Sequence, residues 1–75
     1  MTLREIFAKN IRHWRHVRGL SQEDLAYKAN ISRSYMYGLE KAQHSVGLDK
    51  LERIAKVLGV DPAQLLERAT KGRGR

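Results

Sequence analysis

The sequence contains no cysteine, a single proline and one phenylalanine. Without cysteine there is neither a disulfide framework nor a thiolate metal site, and nothing requires an oxidising compartment. No run approaches the roughly 18 apolar residues of a membrane span. The opening MTLREIFAKN carries charges among its apolar residues and lacks the unbroken apolar stretch of a secretory signal. These features point to a soluble cytoplasmic protein. A chain of 75 residues makes one domain. It buries only about 60% of the surface its unfolded form exposes, so an enclosed enzyme pocket is hard to build.

Acidic residues are outnumbered, eight against fifteen Lys and Arg, for a net charge of +7. The excess is uneven. Residues 1–46 carry eight cations and four anions, residues 47–67 three and four, and residues 68–75 four and none. The first half and the tail are therefore basic, with a near-neutral, apolar segment between them. A basic surface suits a polyanionic partner, either nucleic acid or an anionic membrane.

The elements read as all-α: five short helices, with no strand-like alternation. Thr2 can cap a first helix over 3–18, with Leu3, Phe7, Ile11 and Trp14 on one face and Gly19 ending it. Ser21, three residues before Asp24, starts a second helix with a capping-box pattern. Asn30 tolerates left-handed backbone at the break that follows, and Ile31 is an apolar plug. Ser32 caps a third helix over 33–42, with Met36, Leu39 and Glu40 inward and Arg33, Ser34, Tyr37, Gly38 and Lys41 outward. Leu48, Leu51, Ile54, Ala55 and Leu58 mark a fourth helix closed by Gly59, and Asp61-Pro62 opens a fifth. The expected organisation is one domain over 1–69, with its motif at about 21–42, a dimerisation region at about 47–67, and a disordered basic tail over 70–75.

Two short helices joined by three or four residues form a helix-turn-helix, whose second helix fits a major groove about 12 Å wide. GLSQEDLA, then ISRSYMYGLEKA, then LDKLERIAKVLGVDPAQLL, closely resembles the phage-repressor and Cro-like helix-turn-helix regulators, the XRE family, over about Ile11 to Leu66. Short members of this size resemble controller proteins of restriction–modification systems. The resemblance implies a lambda-repressor-like fold and a homodimeric regulator on a palindromic operator. It sets Arg33, Ser34, Tyr37 and Gly38 at base-reading positions and Gln22 on a phosphate. It places Gln43, His44 and Ser45 in a backbone-contacting loop, and pairs Arg15 with Glu40 in a partly buried salt bridge.

Arginine is the commonest base reader, and a cation against the helix dipole at Arg33 needs an external reason. Ser34 reads a base or touches a phosphate. Tyr35 and Tyr37 reach phosphates or a thymine methyl, or simply pack. Lys28, Arg18, Ser32 and Lys41 complete the expected backbone contacts. Surplus apolar residues at Val57, Val60, Leu65 and Leu66 suggest a patch for a second subunit, and RNA polymerase is a possible further partner. His13 and His16 lack a third ligand, so no metal and no cofactor are expected. Ser21 and Ser32 serve as caps without a His–Asp pattern, so no catalysis is expected. The rival reading is an antitoxin, for which only the tail could wrap a toxin.

Overall fold

The computed structural model describes residues 1–68. It consists of four α-helices, α1 (Leu3–Val17), α2 (Gln22–Lys28), α3 (Arg33–Glu40) and α4 (Leu48–Leu58), followed by a 3₁₀ turn, Pro62–Leu66. The expected fifth helix is thus a single tight turn. Pro62 starts it under an Asp61 cap, and five residues give it no length to settle into α geometry. The expected basic tail over 70–75 lies outside the described residues.

Side chains start each element. The Thr2 hydroxyl accepts from the Glu5 N–H at 3.1 Å while Glu5 accepts from the Thr2 N–H at 2.8 Å. Ser21 and Asp24 repeat the exchange at 2.9 and 3.1 Å, and Ser32 accepts from the Tyr35 N–H.

The four α-helices also end alike. In each, one residue takes left-handed backbone: Gly19, Asn30, Ala42 and Gly59, with φ of +69°, +58°, +61° and +71°. Each donates three residues back, and the next residue donates five back, as Leu20 does to the Arg15 carbonyl and Gln43 to that of Gly38. This paired arrangement satisfies carbonyls that the helix end would otherwise orphan. Glycine enters it freely and asparagine at small cost, whereas alanine is strained. The same turn stops α3 at Glu40, two residues before the expected end.

The core gathers Ile11, Leu25, Met36, Leu39, Ile54, Leu58 and Leu65, all fully buried. Leu3 and Leu48, expected on inner faces, are 57% and 78% exposed. Each occupies the first turn of its helix, which overhangs the core. Long-range hydrogen bonds tie the elements together. Asn10 Nδ2 donates to the carbonyls of Leu65 and Glu67, both at 2.9 Å. Arg53 Nε donates to the Ala29 carbonyl at 2.8 Å, placing a cation at the C-terminus of α2. No described helix is long and apolar enough to cross a membrane.

Candidate nucleic-acid interface

Residues 29–32 join α2 to α3. Ala26 and Ala29 are buried where the two helices meet, Asn30 turns the chain, and Ile31 is 8% exposed beneath the turn. Small side chains allow this close approach, and Ile31 fills the corner that remains.

Glu40 anchors α3 from within. It is 4% exposed, and its carboxylate accepts from Arg15 Nε at 2.8 Å, Arg15 Nη2 at 3.1 Å and Gln22 Nε2 at 3.2 Å. Its backbone carbonyl accepts from Arg12 Nη1. One buried carboxylate thus joins α1, α2 and α3. Charge-assisted, two-pronged bonds of this kind fix orientation as well as separation. Arg12 was missed in the sequence, although it lies three residues from Arg15 on the same side of α1.

With the inner face held, α3 turns Arg33, Ser34 and Tyr37 outward, and Lys41, just past its end, is exposed beside them. Arg33 is 76% exposed and faces Glu23 at 3.7 Å, a separation and exposure that make the pair weak. Lys41 Nζ lies 5.5 Å from the centroid of the Tyr37 ring. Lys28 is exposed on α2, and Gln43 and Ser45 on the loop.

Several expected placements are corrected. Gly38 is not an open outward position: the His44 ring covers it, and the residue is buried. Tyr35 is half-buried. Its hydroxyl donates to the Ser45 carbonyl at 2.6 Å and its ring stacks on His44, with centroids 5.1 Å apart and planes at 7°. It braces the loop after α3. The Ser45 hydroxyl accepts from Arg4 Nη2. Arg18 is also committed: its Nε donates to the Leu58 carbonyl at 2.7 Å, and its guanidinium lies over Trp14. It therefore neutralises the C-terminal end of α4. The Ser32 hydroxyl accepts from the Tyr35 N–H as a helix cap and keeps its own O–H to donate. Leu65 is fully buried and belongs to the core, whereas Val57, Val60 and Leu66 are half-buried against it. An open groove of about 760 Å³ runs beside Leu66, between the starts of α1 and α4, with Leu3, Val46 and Leu48 on its walls. Among the described residues no group of three potential ligands is placed to hold a metal ion.

Two short helices locked at a fixed angle, the second standing outward with a basic, hydrogen-bonding face, define the helix-turn-helix class of DNA-binding proteins. The chain matches the model of the helix-turn-helix domain over residues 6–68 and belongs to that family. It is 37% identical over 71 residues to the control protein C.BamHI of Bacillus amyloliquefaciens, covering 93% of this chain and 88% of that one. The restriction–modification controller protein C.AhdI of Aeromonas hydrophila superposes with a TM-score of 0.79 at 35% identity, covering 83% of this chain and 94% of that one. A hypothetical transcription factor from Neisseria superposes with a TM-score of 0.89 at 34% identity, over 95% of this chain and 82% of that one.

Proposed function

We propose that this protein is a sequence-specific DNA-binding regulator of transcription that acts as a homodimer on a palindromic operator. The observation that carries the reading is the division of α3. Met36, Leu39 and Glu40 are buried, with Glu40 held by Arg15 and Gln22, while Arg33, Ser34 and Tyr37 are exposed on the opposite side. A helix so divided offers a rigid row of donors to a groove. In this reading Arg33 reads a guanine through O6 and N7, and Ser34 and Tyr37 read neighbouring bases. Lys28, Lys41, Gln43 and Ser45 contact phosphates, which fix the register without reading sequence. Gln22, held by Glu40 at the seam of α2 and α3, joins them at the start of α2.

The second copy meets the chain through Val57, Val60 and Leu66, on the segment of net charge −1, so two copies approach with little repulsion. Leu48 and Leu66 line one groove, which extends this apolar surface. A two-fold dimer then sets its recognition helices about 34–36 Å apart. Bound over a promoter in the cytoplasm, it would block or assist polymerase. We read it as a binding module, in which the Ser21 and Ser32 hydroxyls serve as helix caps by accepting from the Asp24 and Tyr35 N–H groups.

Selection of bound duplexes from a random pool, with sedimentation of the free protein, tests the proposal. The expected result is a two-fold-symmetric consensus, with half-sites roughly 10–10.5 base pairs apart, bound by a dimer. Equal retention of all sequences would overturn it.

A further inference from the structure

The geometry points to His44 as a base-reading side chain that takes the place of the one Gly38 lacks. The inference rests on the DNA-binding reading above and deepens it. Residues 34 and 38 are neighbours on one helix face, so position 38 continues the outward row that begins with Arg33 and Ser34. Glycine puts nothing there. His44 does: a methyl group built on Gly38 would overlap its Cδ2 and Nε2, with Cγ 3.2 Å away. The His44 ring thus fills the volume where a residue-38 side chain would begin. It is itself exposed.

The ring is held in that place. It lies parallel to Tyr35, and Tyr35 is tied to the loop through the Ser45 carbonyl. Lys50 Nζ, 5.4 Å from the Tyr35 centroid, adds a contact from α4. Gln43 closes the turn by donating to the Gly38 carbonyl at 2.8 Å. The edge that faces Gly38 is Cδ2–Nε2, which leaves Nδ1 on the edge turned away from the helix. Rotating the ring by half a turn exchanges nitrogen and carbon on both edges, so one nitrogen stays on the outer edge in either orientation. That nitrogen suits a purine N7, an acceptor both purines present in the major groove. His44 was expected among the phosphate contacts, but its seat on α3 puts it in the row that faces bases.

The test repeats the duplex selection with His44→Ala, His44→Phe and Gly38→Ala. Phenylalanine keeps the stack on Tyr35 and the cover over Gly38 but has no ring nitrogen. Gly38→Ala expels the ring from its seat. Cooperative melting checks that each variant is folded, and the two His44 variants alter only an exposed side chain. Both should lose about tenfold of the preference at one base pair per half-site, the scale of a single mismatch, and keep the rest of the consensus. Gly38→Ala should lose the same position, and the Gly38→Ala/His44→Ala pair should lose no more. If both His44 variants keep the parent's consensus, with binding unchanged or weakened equally on every duplex, the inference is overturned while the proposed function stands. If His44→Phe alone keeps it, the ring is a brace and the inference fails too. A parent that enriches no sequence overturns both.

Discussion

Removing the Glu40 carboxylate should destabilise the domain on the scale of truncating a buried apolar side chain of α3 such as Leu39. The Arg15 side chain is 13% exposed and its guanidinium relies on Glu40 for two of its bonds, and Gln22 Nε2 relies on it for one. Breaking one side of a buried ion pair costs about 3–5 kcal/mol, because the surviving charge stays out of water. Arg15 keeps a bond to the Leu20 carbonyl at 3.1 Å and some access to solvent. The loss for Glu40→Ala should therefore fall near the lower end, about 3 kcal/mol. A domain of this length has roughly 4–11 kcal/mol in total, so the variant remains mostly folded at room temperature. Its Tm should drop by roughly 12–24 °C. Arg15→Ala should cost a comparable amount, since it leaves the more deeply buried carboxylate unpaired. The double variant should cost less than the sum, with a coupling of about 0.5–3 kcal/mol. Urea and thermal unfolding of all four proteins give these values. If both single variants melt with the parent, or if their losses simply add, then Glu40 does not join the three helices.

Other outcomes follow from single positions. Ala42→Gly should raise stability by roughly 0.5–1 kcal/mol in urea unfolding, because relief from left-handed backbone at φ +61° outweighs glycine's extra freedom in the unfolded chain. Arg33→Ala should weaken binding to the selected site by about 1–3 kcal/mol and relax preference at one base pair per half-site. Equal weakening on random duplex in filter binding would leave it only a phosphate contact. The backbone N–H and hydroxyl of Ser21 hold the Asp24 carboxyl below its ordinary range, with Lys28 adding a smaller pull. A depressed carboxylate stabilises the fold above its unfolded value and loses that contribution as pH falls through its folded one. The stability difference between the parent and Asp24→Asn should therefore shrink below about pH 4, as read from urea midpoints across that range.

The boundaries legible in the sequence were those with a local chemical cause. Thr2, Ser21, Ser32 and Asp61 start elements through their own oxygens, and Gly19, Asn30 and Gly59 stop them through their own backbone freedom. Ala42 performs the same stop without any residue signal, so α3 reads two residues too long. Apolar spacing located the core but not its edges. Leu3 and Leu48 fit their helical periods yet sit in first turns beyond the last packed layer, while Leu65, read as surplus, is core. Nor could spacing separate a free cation from a committed one. Arg18 lies 40 residues from the Leu58 carbonyl it caps, and Arg53 lies 24 from Ala29. The Arg15–Glu40 pairing came with the family resemblance, since no periodicity links residues 25 apart. On α3, Arg33, Ser34 and Tyr37 were legible as one outward row. The cover of His44 over Gly38 was not, because it depends on how the loop turns back at Ala42.

In the proposed function the outward face of α3, with the loop that closes over it, meets DNA. Backbone amide shifts recorded while the selected duplex is titrated into the labelled protein test it most directly. The largest changes should fall at Gln22, at Arg33, Ser34 and Tyr37, and at Gln43 to Ser45, with Val57 and Val60 little moved. Changes centred on α1 or α4, with Arg33 to Tyr37 unmoved, would contradict it.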